Sequence, residues 1–319
     1  MKFIEEINVL RYYKPFVEAA GGVGQLKKAL AWSEWYAVKW WDEVFSELGL
    51  QAIRQSVFAR ALFISLRIRG FLREDGYVKK RPEKPEYPTN SYAMEFVELH
   101  ESFDKIGAVN VATNGADENA LAVLYSTMLS QGWYKVLRHT FLQLVGISSY
   151  QTIFEPIVKE GQNALAVLEM HTPKLYVGFD YRLDNIELAA ATLRIRPGDC
   201  AGNVCLFHAV TACDAAKIAR RHAPFDAVLM LHTLYWLIDP VKELRCIAPL
   251  LSKDGLLLVG QQVVESTPGM VALVSAMGAK HVFSWKGVEQ ILKAAGYELE
   301  RRYMRYMPYY IAIWSPKST

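Results

Sequence analysis

The hydrophobic positions follow one period in the first half of the chain and another in the second. Up to about residue 150, apolar residues recur at spacings of three and four, as in INVLRYYKPFVEAA (7–20) and SVFARALFISLRIRGF (56–71). This period predicts amphipathic helices. Two further helices, rich in Leu, Trp and Tyr, are predicted near 118–131 and 133–146. We therefore expect a mainly α-helical N-terminal half.

After residue 150, short apolar runs alternate with helical segments. The runs that predict strands are TIFEPI, KLYVGFD, VCLFHAV, FDAVLML and GLLLVGQQ. The segments between them predict helices near 162–171, 182–193, 215–222 and 240–251. Such alternation is typical of right-handed crossovers and of a parallel sheet covered on both faces. The closing helix and two strands, SWKGVEQILKAAGYELERRY and YYIAIWSP, predict an antiparallel edge on a mostly parallel sheet.

A short basic hairpin follows the second helix. Gly70 ends that helix, and Asp75-Gly76 forms the turn within FLREDGYVKK. A helix followed by a basic hairpin is the pattern of a winged-helix unit. The glycines of GGVG at 21–24 follow no strand, so they predict a turn between helices and not a phosphate loop.

Composition narrows the classes of protein. The 319 residues are 52% hydrophobic with a net charge of +3, which indicates a full core, room for two domains and no chain-wide nucleic-acid footprint. The lysines around Lys27 and Lys79 are interpreted as solvated. No apolar run reaches the ~18 residues that span a bilayer, so no membrane partner is expected.

The four cysteines form no CxxC pair and fall in or beside apolar runs. We expect small buried thiols in a reducing cytoplasm and no metal site. The first residues carry early acidic side chains and no long apolar core, which does not fit a secretory leader. The expected location is therefore cytoplasmic.

Polar side chains mark the ends of the predicted strands. Ligands of an open parallel sheet bind at the carboxyl ends of its strands. Glu155 ends the first strand, Asp180 the second, and Asp214 stands near the end of the third. An acidic side chain after the second strand suits the hydroxyls of a ribose. After the fourth strand, His232 and Tyr235 would face a substrate.

Together these residues carry a resemblance. Residues 151–315 resemble a class I S-adenosylmethionine-dependent methyltransferase domain, most clearly in FDAVLMLHTLYWLIDPVKELRCIAPLLSKDGLLLVG (225–260). SWKGVEQILKAAGYELE (284–300) and YVGFDYRLDNIELAA match its late helix and its second strand. ARALFISLRIRGFLREDGYVKK is similar to the winged-helix dimerisation domain of small-molecule O-methyltransferases. The resemblance implies a Rossmann-like α/β sheet, a homodimer and the cofactor S-adenosyl-L-methionine.

The resemblance also assigns site residues and domains. It places the cofactor on Glu155, Gly161, Asp180, Tyr181, Asp214, Ala215 and Leu231, and catalysis on His232 and Tyr235. It divides the chain into a winged-helix-like dimerisation domain (1–115), a helical connector that contributes to the substrate pocket (116–150) and a methyltransferase domain (151–319).

Two departures from the family pattern matter. Ile157 and Lys159 stand where the family's cofactor loop carries glycines, so only Gly161 remains. Glycines there adopt positive φ, which Ile resists, and Lys159 brings a positive charge near a sulfonium. Tyr235 takes the position of the family's His base, and His232 or His281 are the alternatives. With a reference pKa near 10, Tyr is a poor base at neutral pH.

Three functions stay open at this point. The first is methyl transfer to a small, apolar or aromatic acceptor, with O-methylation favoured. The second is a catalytically inactive methyltransferase-fold protein, because the loop glycines and the His base are missing. The third is a nucleic-acid-directed methyltransferase that uses the winged helix, which the sequence favours least. We expect a small-molecule acceptor and a homodimer.

Overall fold

The described chain, residues 12–317 of a computed structural model, divides into two units. One contains the N-terminal helices and two later insertions, and the other contains the sheet. The first unit comprises residues up to Leu137, Gln262–Trp285 and Tyr306–Tyr309; the second comprises Arg138–Gln261, Lys286–Arg305 and Tyr310 onward. The division predicted from the sequence, with boundaries at 115 and 150, stays a prediction.

The first unit is helical, as expected. Its described helices are α1 (12–19), α2 (Val23–Leu48), α3 (Ala52–Gln55), α4 (Val57–Ile68), α5 (Ser91–Ile106), α6 (Ala108–Ala112), α7 (Glu118–Ser130), the start of α8 (Gly132–Leu144) and α13 (Pro268–Ala276). The predicted helix at 7–20 lies partly outside the described residues. Helix α13 was not predicted, because all nine of its residues are buried and it shows no polar face.

Aromatic side chains fill the core of this helical unit. Trp32, Trp40 and Trp41 are buried, and each indole N–H donates to an acceptor of the same unit. Helix α13 approaches α2 and α5 closely at Gly269, where an added Cβ would lie 2.4 Å from Ser33 Oγ. These three tryptophans therefore belong to the interior of the helical unit.

The basic hairpin is shorter than predicted. After α4, one antiparallel bridge joins Leu72 to Val78, and no strand of two or more residues forms around it among the described residues. Gly76 occupies the turn with a φ of 86°. The winged-helix character of this unit remains a prediction.

The second unit contains one eight-stranded sheet in the order β3-β4-β2-β1-β5-β6-β8-β7. Its strands are β1 (Thr152–Glu155), β2 (Leu175–Asp180), β3 (Cys200–Ala201), β4 (Val204–His208), β5 (Phe225–Leu231), β6 (Leu251–Gln261), β7 (Tyr297–Met304) and β8 (Tyr310–Pro316). Its helices are α9 (Gln162–Met170), α10 (Leu183–Leu193), α11 (Ala212–Ala219), α12 (Pro240–Ile247) and α14 (Trp285–Ala294).

The pairing confirms the predicted fold class. Strands β4, β2, β1, β5 and β6 are parallel, whereas β8 is antiparallel to both β6 and β7. The two-residue edge strand β3, also antiparallel, was not predicted. Helix α11 begins three residues earlier than predicted because Thr211 caps its first turn, accepting a hydrogen bond from the Asp214 amide at 3.1 Å.

The expectation for the cysteines was wrong. Cys200 is bonded to Cys205, and Cys213 to Cys246, with S–S distances of 2.04 and 2.05 Å. Only Cys205 is buried. Spacing along the chain did not reveal the pairs, because Cys200 and Cys205 meet as cross-strand partners of β3 and β4. Disulfides persist mainly in oxidising compartments, so the pairing weighs against the predicted cytoplasmic location.

Among the described helices, no segment has both the length and the apolar character needed to cross a bilayer.

Candidate functional site

The order in which strands join the sheet reverses between β1 and β5. From β1 the chain builds outward through β2 and β4, then returns to place β5 on the other side of β1. The carboxyl ends of β1 and β5 therefore flank a topological switch point, where open α/β sheets bind ligands. The loop after β1, residues 156–161, lies at this point. We name it the β1 loop.

Glu155 ends β1 as a fully buried carboxyl group. The Asn163 side-chain amide donates to its Oε1 at 2.7 Å, and the Tyr176 hydroxyl donates to its Oε2. Burial raises the pKa of Glu155 to about 7, although both hydrogen bonds oppose that rise. Because both carboxyl oxygens are engaged, Glu155 organises the start of α9 and is not exposed to a ligand.

Lys159 crosses the switch point. Its Nζ donates to the carbonyl oxygen of Leu231, the last residue of β5, at 3.0 Å. Its backbone N–H donates to Asp180 Oδ2 at 2.9 Å. The residue is 5% exposed, and burial lowers the pKa of its amine to about 8. The lysine thus links the β1 loop to the ends of both β2 and β5.

Asp180 ends β2 and is 0% exposed. Besides the Lys159 amide, it accepts hydrogen bonds at Oδ1 from the Arg182 amide (2.9 Å) and the Asn185 side chain (3.0 Å). Burial raises the pKa of Asp180, and these hydrogen bonds work against the rise. The carboxylate therefore ties the β1 loop to the first turn of α10.

The β1 loop adopts left-handed backbone at Lys159 (φ 54°) and at Gly161 (φ 78°), and Ile157 is not among the positive-φ residues. A Cβ at Gly161 would stand 3.0 Å from the Ala189 Cα of α10. The remaining glycine is thus required by its backbone angle and by the packing of α10. The difficult position is Lys159, where a side-chain residue occupies a conformation that glycine adopts more easily.

The predicted adenine residues lie at the start of α11. The Thr211 hydroxyl and the Lys217 ammonium donate to the Asp214 carboxylate at 2.8 and 3.0 Å, and both lower its pKa. The Ala215 amide donates to the Thr211 carbonyl at 2.9 Å within the helix. Asp214 is half-buried, whereas Tyr181, after β2, is 36% exposed. Both side chains are therefore partly accessible from outside.

His232 follows β5 in left-handed backbone, with a φ of 52°. Its amide donates to the Gly260 carbonyl at 2.6 Å, and its ring stacks on Tyr235 with centroids 6.2 Å apart. Both side chains are buried. Burial, and then the charges of Lys159 and Arg138, hold the pKa of His232 far below its ordinary value. The structure thus brings both predicted catalytic residues together, with His232 as a neutral imidazole.

Sequence reasoning missed the residues that hold these groups in place. Asn163 donates to Glu155 and accepts from the Arg138 Nε at 3.0 Å, and Tyr176 reaches Glu155 from β2. Asn163 stands two residues after Gly161, so polar residues in the first turn of α9 were an available signal. Arg138 carried no such signal, since it lies in α8 far from the motif.

Comparisons with known proteins agree with this geometry. Residues 160–259 match the family model described as a methyltransferase domain. The chain is similar to the CurJ carbon methyltransferase (TM-score 0.66, 11% identity, 97% of this chain and 98% of that chain covered). It is also similar to the trans-methyltransferase CalH in complex with SAH (TM-score 0.58, 15% identity, 91% of this chain and 90% of that chain covered). A third similar structure is that of an O-methyltransferase family 2 protein from Planctomyces limnophilus in complex with apigenin (TM-score 0.53, 11% identity, 98% of this chain and 96% of that chain covered).

No curated protein sequence matches the chain. At 11–15% identity, the structural similarities establish the fold. The family model identifies the region from the β1 loop to β6 as similar to a methyltransferase domain. The predicted resemblance is confirmed: residues 160–259 match the model of a methyltransferase domain, in a chain with the class I methyltransferase fold.

Proposed function

We propose that this protein transfers a methyl group from S-adenosyl-L-methionine to a small acceptor, with O-methylation favoured. The observation that carries the proposal is Asp180, an acidic side chain at the end of β2 beside the switch point of a methyltransferase domain. CalH, one of the similar structures, is a complex with SAH, the demethylated form of that cofactor.

The residue types at the site suit the cofactor, but their present hydrogen bonds occupy the groups that would bind it. A carboxylate at Asp180 and another at Asp214 suit a ribose and an adenine edge. However, Asp180 already accepts three hydrogen bonds, and the Lys159 ammonium lies on the Leu231 carbonyl. We propose that the contact between the Lys159 amide and Asp180 opens when the cofactor enters, which frees Asp180 Oδ2 for the ribose, while the Nζ contact with Leu231 remains.

When bound, the cofactor supplies an electrophilic methyl group on a positively charged sulfur. The protein then has to position the acceptor and exclude water. His232 is a weak base, because burial, and then the charges of Lys159 and Arg138, lower its pKa and oppose the formation of an imidazolium. Tyr235, stacked on it, is the second candidate to hold the acceptor's proton. The proposed acceptor is therefore an acidic hydroxyl, such as a phenol or an enol, which needs little help from a base.

The hydrogen bonds that Asp180 already accepts favour a second candidate function. A carboxylate that is 0% exposed and bonded to three donors can be a purely structural group. In that case the fold is kept in a binding protein that takes up the cofactor weakly or not at all.

The proposed partners follow the sequence-based expectations. They are a small-molecule acceptor and a second copy of the chain in a homodimer, whereas neither a membrane nor a nucleic acid is proposed. A cytoplasmic location stays part of the proposal, and it requires the two cysteine pairs to persist or be reduced in that compartment.

Calorimetric titration with S-adenosylmethionine tests the proposal. We expect the wild type to bind and Asp180→Asn to lose about tenfold or more in affinity, since the ribose would lose a charged acceptor. Asp184→Asn is the matched control, because that carboxylate lies in the first turn of α10, close after Asp180 in the chain, but its side chain is 77% exposed. Absence of heat at about millimolar cofactor would reject the enzyme and favour the binding protein. Equal affinities for wild type and Asp180→Asn would reject Asp180 as a cofactor ligand.

A further inference from the structure

We infer that Lys159 determines which charge form of the cofactor the site prefers, and that it favours neutral S-adenosylhomocysteine over the sulfonium S-adenosylmethionine. The inference rests on the proposed function, because it concerns the same site. It rests also on the position of a single buried ammonium group, Lys159 Nζ, at the end of β5.

The position of this ammonium is the first step. Ligands of such sheets lie across the carboxyl ends of the strands that flank the switch point, which are β1 and β5 in this chain. Lys159 leaves the loop after β1, and its Nζ contacts the carbonyl oxygen of the last residue of β5. A ligand bound across these strand ends would therefore lie beside a buried positive charge.

The lysine is also held firmly at both ends. Its backbone amide is fixed by Asp180, and its Nζ by Leu231. The residue keeps left-handed backbone, with a φ of 54°, so the loop carries strain at this position. A side chain fixed in this way moves away from an incoming cation only by breaking one of these contacts.

The charges that face Lys159 come from several elements. Glu155 on β1, Asp180 on β2 and Glu160 on the β1 loop attract it, whereas Arg138 on α8 repels it. Glu155 and Asp180 are themselves engaged by other donors. Burial is the largest influence and lowers the pKa of Lys159 to about 8, so the amine is mostly charged at neutral pH.

The two cofactor forms differ at one atom in a way that this charge can detect. The methylated sulfur is a cation and the demethylated sulfur is neutral, whereas the adenosine and the amino-acid end are common to both. Two like charges in a partly buried crevice repel strongly, by more than a factor of ten in affinity at a separation of about 5 Å. The methyl donor is therefore disfavoured relative to its product.

The test measures the dissociation constants of both compounds by calorimetry, at pH 7 and pH 9.5, in the wild type and three variants. Lys159→Met removes the charge, Lys159→Arg keeps it at both pH values, and Lys253→Met removes an exposed charge from β6 of the same unit. At pH 7 we expect the ratio of dissociation constants, methylated over demethylated, to fall about tenfold in Lys159→Met and to stay unchanged in Lys253→Met. At pH 9.5 the wild-type ratio should fall toward that of Lys159→Met, whereas that of Lys159→Arg should not.

The outcomes separate the two proposals. Binding of both compounds with one common ratio for wild type and Lys159→Met overturns the inference and leaves the proposed function intact. No binding to any of the four proteins, each checked for a cooperative melt, overturns both. No binding of the methyl donor to wild type but binding to Lys159→Met supports the inference and rejects methyl transfer by the natural chain. If Lys159→Met does not fold, the pH dependence of wild type against Lys159→Arg decides the question.

Discussion

Gly161 shows how one position can meet two structural demands. It has a φ of 78°, and an added Cβ would lie 3.0 Å from the backbone of Ala189. We expect Gly161→Ala to lower the free energy of unfolding by about 2–4 kcal/mol, through backbone strain and displacement of α10. Denaturant unfolding would measure this change.

A matched control separates the two contributions. Gly202 also has positive φ, at 60°, but an added Cβ there meets nothing within 4 Å. Gly202→Ala should therefore cost only the backbone part, about 1 kcal/mol. Equal losses in the two variants would show that the packing of α10 against the β1 loop contributes nothing.

Glu155 predicts a pH dependence with a definite sign. Burial raises its pKa to about 7, above the reference value of 4.5. Between these two values the folded chain binds a proton that the unfolded chain has released, so this group's contribution to stability falls as pH rises from about 4.5 to 7. We expect the melting temperature of Glu155→Gln, relative to wild type, to rise between pH 5 and pH 7.5.

The difference between the two proteins isolates this carboxyl group from all others that titrate in the same range. A constant difference in melting temperature across these pH values would mean that Glu155 is ionised in the folded chain throughout.

At the scale of single residues, the sequence predicted the position of the β1 loop better than the conformation and contacts of its residues. The order of Glu155, Gly161 and Asp180 placed the β1 loop correctly. The angle of each loop residue was not predictable, and it is Lys159, not Ile157, that adopts positive φ. The three hydrogen bonds to the Asp180 carboxylate were also not predictable from the sequence, because two of the three donors are backbone amides, which any residue supplies.

Among the elements, α11 and α12 are joined covalently as well as by packing. The Cys213–Cys246 bond closes 33 residues of chain, whereas Cys200–Cys205 closes only 5. Chain entropy predicts about 3–4 kcal/mol of stabilisation from the longer loop and about 2 kcal/mol from the shorter one. Each pair can be tested alone in a double-alanine variant that lacks the other.

We expect a reductant to destabilise Cys200→Ala/Cys205→Ala more than Cys213→Ala/Cys246→Ala, because only the former keeps the long closure. The measurement is the shift of the denaturation midpoint with and without reductant in each variant, so the effects of the substitutions themselves cancel. Midpoints that do not respond to reductant in either variant would show that the cysteines are thiols in solution.

Element boundaries were predictable where a strong hydrophobic period marks them. Helix α10 begins at Leu183 and helix α9 at Gln162, close to the predicted starts. The two-residue strand β3 is too short to show a hydrophobic period in the sequence. The fully buried helix α13 shows no alternation of apolar and polar residues. The cysteine pairs depend on which elements become neighbours, and local patterns along the chain do not contain that information.

For the whole chain, the alternation of strands and helices was enough to predict the mostly parallel sheet with its antiparallel edge. Composition was a weaker guide. A net charge of +3 does not say where the charges lie. The basic hairpin and the helix end before it, residues 67–81, contain the cations that would touch nucleic acid in a winged helix.

These cations are largely neutralised within their own unit. Arg67 pairs with Glu74 at 3.0 Å, Arg73 with Asp75 at 2.9 Å, and Arg81 with the more distant Asp42 at 2.9 Å. Exposed pairs add little stability, but they place a carboxylate beside each guanidinium and so reduce the field that a phosphate would meet. The sequence run looks more basic than the surface it forms.

We therefore predict weak binding to duplex DNA, with a dissociation constant of about 10 μM or higher at physiological salt. In a fluorescence anisotropy titration of a labelled duplex, log affinity against log salt should have a slope no steeper than about −2, the value for two phosphate contacts. The control is Glu74→Gln/Asp75→Asn, which leaves Arg67 and Arg73 without their partners, so binding should tighten and the slope steepen. Nanomolar binding by the wild type with a slope of about −5 would instead favour a nucleic-acid-directed enzyme, since that slope requires nearly every cation of the hairpin to reach a phosphate.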